Sequence, residues 1–227
     1  MPRRKTPRKS EANLAASICG AFLIILVLCL FTFRLGCAFG LFGYADPDTC
    51  WILDAGRQIV ELGYVPRLDS YSYTLPMLAA QGNPQLFVMH QWLFDLINYL
   101  MFRYLDLFGP MLFCCLVTTF AYVIIPLMSG LKDKTPRLWL FFVVVLCVDE
   151  GATRAFVRPE GVTALMIALW LYWLHGLRRK YDADDSTKLR FFPIAFAATM
   201  WLWCNMHGGF VTGFYLLGAY AVFSLLA

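Results

Sequence analysis

Long apolar runs separated by short charged segments restrict the folds open to this chain more than any other feature of its sequence. The main runs cover residues 14–33, 111–128, 138–148, 162–177, 191–204 and 210–226. Hydrophobic residues make up 60% of the chain and charged residues 15%, which excludes an ordinary soluble domain. Since a helix needs about 20 apolar residues to cross a bilayer, we predict an all-α polytopic transmembrane helical bundle with roughly six or seven spans.

The basic residues indicate orientation and do not indicate nucleic-acid binding. The net charge is +4, and the basic residues form short clusters between the apolar runs instead of one continuous surface. By the positive-inside rule, the basic arm at residues 1–13 lies in the cytoplasm. Residues 14–227 then form a single transmembrane domain, in which residues 34–85 are an external loop.

The segment 44–74 within that loop is rich in acids. It holds a third of the 15 carboxylates of the chain, namely Asp46, Asp48, Asp54, Glu61 and Asp69. Apolar residues recur in it at spacings of three and four, which predicts an amphipathic helix over residues 49–62, capped by Asp48 or Thr49 and ended by Gly63. We expect this helix to lie on the bilayer surface, with Asp54 and Glu61 on its solvated face.

Two topologies follow from the remaining basic loops. If the loops 132–137 and 178–190 both lie inside, the polar segments 149–161 and 205–209 lie outside, and residues 86–108 stay in the interface or re-enter. If residues 86–108 cross the membrane fully, both polar segments lie inside. We favour the first topology because it places every polar motif on the same side as the first loop.

Asp46 and Asp48 directly follow the first apolar run and are the candidate catalytic residues. A carboxylate there can act as general base on an acceptor hydroxyl, or the pair can bind a divalent cation that holds a phosphate. The competing interpretation is structural, with Asp48 capping the helix and Asp46 solvating the turn. The eight cysteines lack the paired spacing of a metal site, so we expect no metal bound by them.

Arg154, Arg158 and Glu160 form a charge cluster between two apolar runs and are candidates for substrate binding. Arginine holds a phosphate through bidentate hydrogen bonds, and ionisable groups at membrane depth tend to mark sites. The alternative is that these arginines and the acids nearby simply pair with one another.

His90, Asn205 and His207 complete the candidate substrate-binding residues. Asn205 and His207 lie in the turn WCNMHGG, where two glycines allow a sharp turn or a close approach to a ligand, and His90 lies in HQW. In the competing interpretation the histidines are structural and the tryptophans belong to an interfacial belt.

Together these motifs resemble the GT-C superfamily of membrane glycosyltransferases, and within it the bacterial proteins similar to dolichyl-phosphate-mannose mannosyltransferases. The resemblance rests on the acidic first loop, HQWLFDLINYLMFRYLDLFG, RPEG and WCNMHGG, which span nearly the whole chain. It implies a bacterial cytoplasmic (inner) membrane protein with a polyprenyl-phosphate sugar as donor. It also implies that the acid near the start of the first external loop, Asp46 or Asp48, is the catalytic base.

The chain departs from this family in two respects. Family members usually have more spans, so we expect this chain to be an N-terminal fragment or a reduced relative. In addition, Asp-Pro-Asp stands where many members have Asp-Glu, which leaves open which of the two acids acts.

The resemblance therefore implies transfer of a sugar to an acceptor on the outer face of the membrane, with Arg154 or Arg158 at the departing lipid phosphate. The alternative is a non-catalytic integral membrane subunit or scaffold of a larger complex, whose contacts the 20 Phe, 11 Tyr and 7 Trp would suit. The two hypotheses differ in whether the acids of the first loop tolerate replacement. The expected partners are membrane lipid and the lipid-linked sugar, without a cofactor apart from the divalent cation considered above.

Overall fold

The computed structural model describes residues 47–67, 71–72, 74–83, 88–133, 136, 139–140, 142–143, 146, 157–182 and 191–226, and within them the regular structure is helical. The α-helices are α1 (Pro47–Leu62), α2 (Thr74–Ala80), α3 (Trp92–Leu105), α4 (Phe108–Thr119), α5 (Ile125–Lys132), α6 (Glu160–Asp182), α7 (Phe191–Met206) and α8 (Val211–Leu226). A π-turn over Phe120–Ile124 joins α4 to α5, and a 3-10 turn over Gly208–Phe210 precedes α8.

Within the described residues, three helical stretches are long and apolar enough to cross a membrane. They are Phe108–Lys132 with 25 residues, Glu160–Arg179 with 20 and Gly208–Leu225 with 18. These stretches contain the apolar runs 111–128, 162–177 and nearly all of 210–226. The run 191–204 forms the shorter apolar helix Phe192–Met206. The expected first span, 14–33, lies outside the described residues, as does most of the run 138–148.

α3 is too short to cross a bilayer alone. Its 14 residues extend about 21 Å, against a hydrocarbon core of about 30 Å. It is followed at once by α4, with only Asp106 and Leu107 between them, and Asp106 has a positive φ of 54°. The segment 86–108 therefore contains a short helix and a sharp turn.

α1 is the predicted amphipathic helix with a different beginning. It begins at Pro47, so Asp48 and Thr49 both lie in its first turn and neither precedes the helix as a cap does. The capping prediction for these two residues is wrong. The predicted end is confirmed, because Gly63 has a φ of 74° and its N–H donates to the carbonyl oxygen of Ile59 at 2.9 Å.

The apolar face of α1 is covered by protein. Ala55 and Ile59 pack against Met89, and Gly56 lies so close to α3 that an added Cβ would be 2.3 Å from the carbonyl oxygen of Asp95. The expectation that this face rests on the bilayer therefore changes: α3 takes the place of lipid. The opposite face carries an ion-pair network of Asp54, Arg57 and Glu61, in agreement with a solvated surface.

The core lies between α3, α4, α6 and α7, and partly buried side chains of α8 pack against it. The indole rings of Trp170 and Trp203 are fully buried and meet edge to face, with centroids 5.6 Å apart. The Trp170 N–H donates to the hydroxyl of Thr199 at 2.9 Å. Gly213 allows the backbone of α8 to approach the Trp203 ring closely, since a Cβ at this position would lie 2.9 Å from the ring. This packing fixes the ends of α6 and α7 that face the candidate site.

Candidate functional site

A cavity of about 230 Å³ opens where α1, α3 and α6 begin and where α7 gives way to α8. Its lining residues are Asp48, Trp51, Ile52, Gln91, Arg158, Pro159, Glu160 and His207. The beginning of a helix exposes unpaired backbone N–H groups with a partial positive charge, which favours a bound anion. The cavity is smaller than the roughly 300–1,000 Å³ of a pocket for a drug-sized ligand, so it suits one ring or one phosphate group.

Four candidate residues from separate segments line this cavity. Asp48 comes from the first turn of α1, Arg158 and Glu160 come from the start of α6, and His207 comes from the end of α7. These groups therefore lie at the same end of the helices. The other two candidates of the acidic and basic motifs, Asp46 and Arg154, lie outside the described residues.

Asp48 and Arg158 form an ion pair at the cavity. A guanidinium nitrogen of Arg158 lies 3.1 Å from a carboxylate oxygen of Asp48, and the two side chains are 44% and 56% exposed. An ion pair this exposed contributes only about 0–1 kcal/mol to stability. A ligand phosphate can therefore compete with Asp48 for the Arg158 guanidinium at little cost.

Buried neighbours hold the Arg158 segment in place. Val157 is 2% exposed, and the Cys114 thiol of α4 contacts the backbone of Arg158. The N–H of Val162 donates to the carbonyl oxygen of Pro159 at 3.0 Å, which closes the first turn of α6. The arginine therefore reaches the cavity from an ordered backbone, although its own side chain is half exposed.

His207 is held in one tautomer by its neighbours. Its Nδ1 accepts from the backbone N–H of Gly209 at 3.2 Å and lies 2.6 Å from the hydroxyl of Thr163. That hydroxyl also accepts from the N–H of Trp203 at 3.0 Å, so it has its own hydrogen available to donate to Nδ1. The neutral ring then carries its proton on Nε2, where it can donate to a ligand.

The surroundings of His207 also favour the neutral ring. Burial lowers its pKa, the neighbouring Glu160 opposes this shift, and His90 adds to it. Gly209 is required beside the ring, because a Cβ there would lie 2.4 Å from the Thr163 hydroxyl oxygen and 2.7 Å from Nδ1. The predicted close approach of the glycine backbone is therefore present, and at Gly209 it is an approach to side chains of the protein.

His90 and Asn205 do not line the cavity. His90 is exposed and lies beside Gly208, where an added Cβ would be 3.5 Å from its ring. The carbonyl oxygen of the Asn205 side chain accepts from the Trp92 N–H at 2.8 Å, and its amide nitrogen donates to the Trp201 carbonyl at 2.7 Å. Asn205 thus connects α7 to α3, which is a structural contact.

Sequence reasoning missed Trp51, Gln91 and Thr163. Trp51 lies one helical turn after Asp48, so a search of that helix face would have found it. Gln91 stands next to the candidate His90, but the α3 geometry directs Gln91 to the cavity instead. No sequence pattern pointed to Thr163, because its position within an apolar run does not show that its hydroxyl contacts His207.

Across the described residues, no group of three or more His, Cys, Asp or Glu side chains is arranged to hold a metal ion. The cavity contains two acids, Asp48 and Glu160, against one guanidinium, that of Arg158. Among the described lining residues, Arg158 and the helix beginnings are the positively charged groups that can hold a phosphate, and the neutral His207 ring can add a hydrogen bond from Nε2.

No protein-family model matches the chain, and no match is found among curated proteins or solved structures. The function therefore has to be argued from the cavity itself.

Proposed function

We propose that the protein is a membrane glycosyltransferase of the GT-C type that transfers a sugar from a polyprenyl phosphate to an acceptor hydroxyl on the outer face of the bacterial cytoplasmic membrane. The observation that carries the proposal is the meeting of Asp48, Arg158, Glu160 and His207 in one cavity at the beginnings of three α-helices. A base, a phosphate-binding cation and a neutral hydrogen-bond donor are the groups that such a transfer needs.

In the proposed reaction, the donor phosphate binds Arg158 and separates it from Asp48. The Asp48 carboxylate takes the proton from the acceptor hydroxyl while the oxygen of that hydroxyl attacks the anomeric carbon. The bond from that carbon to the phosphate oxygen breaks, so the configuration inverts and the polyprenyl phosphate leaves with the bonding electron pair. Arg158 and the helix beginnings stabilise the negative charge on the departing phosphate. Asp46 is the alternative base.

The proposed membrane arrangement places the cavity on the side of the donor and acceptor. The full chain crosses the bilayer six or seven times in our proposal, with the N-terminus in the cytoplasm and the cavity outside. The three long apolar helices, together with the short length of α3, support this arrangement because residues 86–108 then stay at the interface. The lipid chain of the donor lies along the exposed apolar helix faces, and only its sugar and phosphate enter the cavity.

Replacement of the acids tests the proposed mechanism. Asp48→Asn removes the base but keeps the shape of the side chain, so we expect transfer from a radiolabelled polyprenyl-phosphate sugar to fall by about 100-fold or more. The same change at Asp46 identifies which acid acts. Asp54→Asn is the matched control, because Asp54 lies on the same helix but on its solvated face, paired with Arg57; its activity stays near that of the native protein. Unchanged transfer in the double variant Asp46→Asn with Asp48→Asn would contradict the mechanism.

A metal contribution is measured in the same assay. The two acids of the cavity, with a phosphate beside them, offer oxygen ligands of the kind that Mg²⁺ prefers. Loss of transfer in EDTA and its recovery with Mg²⁺ would assign a divalent cation to the donor phosphate. Equal rates with and without EDTA would leave Arg158 and the helix beginnings as the groups that hold it.

A scaffold or subunit function is the second candidate, and α8 favours it. In the span Gly208–Leu225 only 6% of the residues are buried, so its surface is open to lipid or to another protein. Phe214, Tyr215 and Phe223 are among its exposed side chains. This function predicts that Asp48→Asn has no effect while substitutions on the open face of α8 prevent assembly of the complex.

A further inference from the structure

Asp95 is an acid for which the proposed mechanism has no use. It lies in α3, outside the three helices long enough to span the membrane, and it is 0% exposed. One carboxyl oxygen accepts from the side-chain amide nitrogen of Gln91 at 3.0 Å, while the other has no hydrogen-bond partner among the described residues. Burial raises the pKa of Asp95 to about 7, against the opposing effect of the Gln91 hydrogen bond.

A carboxyl buried in this way costs stability that an apolar side chain would not cost. Its backbone carbonyl lies against Gly56 of α1, where α1 and α3 pack closely. Within the described part of the structure, the side-chain hydrogen bond of the Asp95 carboxyl is the one that it accepts from Gln91. This hydrogen bond makes Gln91 the polar group that the buried carboxyl orients.

Gln91 connects this buried acid to the cavity. It is the residue before the first turn of α3, it is 8% exposed, and it lines the cavity. Its amide nitrogen donates to Asp95. The carbonyl oxygen Oε1 is the acceptor that Gln91 retains for a ligand of the cavity, since the side-chain hydrogen bond to Asp95 uses the amide group.

The lining of the cavity is mixed in chemistry. Asp48, Arg158 and Glu160 carry charges, whereas Gln91 is neutral and Trp51 and Ile52 are apolar. The ring of Trp51 also contacts that of Tyr71, with the centroids 5.8 Å apart. An aromatic side chain and a neutral acceptor in the same cavity suit a ring that is apolar on one face and carries hydroxyls at its edge.

We propose that Gln91 selects a sugar hydroxyl in the cavity through its carbonyl oxygen, and that Asp95 is a positioning residue that holds the Gln91 amide in the orientation this requires. The sugar ring lies against Trp51, and its hydroxyl donates to Oε1. The inference rests on the proposed function, since it takes the donor sugar as the ligand. It adds that Gln91 distinguishes between sugars by one hydroxyl, and it gives the buried Asp95 a role in orienting Gln91.

The test measures equilibrium binding and does not depend on transfer. Purified protein in nanodiscs is titrated with radiolabelled farnesyl-phosphate glucose, mannose and galactose, and then with each monodeoxy form of the sugar that binds best. Loss of one hydroxyl should weaken binding to the native protein about tenfold, which corresponds to roughly 1.4 kcal/mol and lies within the range of a single hydrogen bond. Gln91→Leu should weaken binding of the parent sugar by a similar factor, and the same deoxy sugar should then bind no more weakly than the parent.

Asp95 is tested by two replacements. Asp95→Asn keeps an oxygen that accepts from Gln91, so discrimination between parent and deoxy sugar should stay within about threefold of the native value. Asp95→Leu removes the acceptor and should abolish the discrimination although Gln91 is present. Gln58→Leu is the matched control for the loss of a glutamine, because Gln58 bonds to Asp54 and Tyr71 and does not line the cavity.

The outcomes separate this inference from the proposed function. If Gln91→Leu discriminates every hydroxyl as the native protein does, the inference is overturned and the glycosyltransferase proposal stands. If the discrimination disappears in Gln91→Leu but no transfer occurs, the inference stands and the enzymatic proposal fails. If none of the three farnesyl-phosphate hexoses binds the native protein at millimolar concentration, both the inference and the glycosyltransferase proposal fail. Should Asp95→Leu not fold, a loss of discrimination in Asp95→Asn still overturns the positioning role.

Discussion

At the scale of single residues, the chemistry of the cavity depends on neighbours that fix each functional group. His207 is the clearest case, because Thr163 and the backbone of Gly209 occupy its Nδ1 and leave Nε2 to carry the proton. Protonation of Nδ1 would break the contact with the Gly209 N–H and would require the Thr163 hydroxyl to accept where it now donates. The ring is therefore built to remain neutral and to donate a hydrogen bond, a role different from that of a proton-accepting base.

The lowered pKa of His207 predicts how stability changes with pH. The unfolded chain, with a histidine pKa near 6.5, binds the proton more readily than the folded protein does. The stability that neutral His207 contributes is therefore complete above about pH 6.5 and is lost as the pH falls through the folded-state pKa. The slope from this one group is at most about 1.4 kcal/mol per pH unit.

His207→Asn checks this dependence by thermal unfolding in detergent between pH 7.5 and 5. An asparagine oxygen can still accept from Gly209 but does not titrate, so the variant should lose less stability on acidification than the native protein. His175→Asn is the control, because His175 lies half exposed beside Asp133, far from the cavity. Identical pH profiles for the native protein and His207→Asn would show that His207 does not contribute.

At the scale of elements, the contact between α1 and α3 decides the shape of the cavity. It brings Asp48 and Trp51 of α1 next to Gln91 at the start of α3. The two backbones approach closely at Gly56, where an added Cβ would meet the Asp95 carbonyl and, at 2.5 Å, the Cβ of Tyr99. These atoms belong to the backbone and to a Cβ, so they cannot move aside by a change of rotamer.

Gly56→Ala should therefore separate α1 from α3 and destabilise the protein by about 1–3 kcal/mol, a typical cost of overpacking. In a helix without close neighbours, alanine is more stable than glycine by about 1 kcal/mol. A loss of stability in Gly56→Ala would therefore indicate a clash between α1 and α3. The melting temperature and the resistance to proteolysis of the α1 segment measure it. Gly218→Ala in α8 is the matched control, since nothing lies within 4 Å of its added Cβ; a similar loss in both variants would contradict the close-approach account.

At the scale of the whole molecule, α6 extends from the cavity to the opposite end of the bundle. Its 23 residues extend about 35 Å, enough to cross the hydrocarbon core. Arg158 lies just before its beginning, and Arg179 near its end pairs with Asp133 at the end of α5. Charged pairs thus lie near both ends of this helix.

The two ends of α6 should consequently react from opposite sides of the membrane. In a chain whose eight cysteines have been replaced, Arg158→Cys should react with an impermeant maleimide added outside intact cells. Arg179→Cys should react only after the cells are made permeable. Both native side chains are nearly half exposed, so access is not limited by burial. Reaction of both positions from the same side would contradict the proposed membrane arrangement.

The sequence by itself determined the helical class, the long apolar helices and the end of α1. The apolar runs, the spacing of Ile52, Ala55 and Ile59, and the glycine at position 63 depend on neighbours within one or two turns, because backbone hydrogen bonds join residues four apart. It also pointed to Asp48, Arg158, Glu160 and His207 as chemically unusual residues. The roles of all four remain predictions.

Only the tertiary structure decided which of these residues meet. Asp48 and Arg158 come together because α1 packs on α3 and a buried segment precedes α6, and nothing local to either residue encodes that contact. Amphipathic spacing shows that a face of α1 avoids water, but lipid and protein satisfy it equally, so the covering of that face by α3 had to be observed. The same holds for Gln91, Thr163 and Asp95: hydrogen bonds between side chains depend on how helices pack, and packing is a property of the whole bundle.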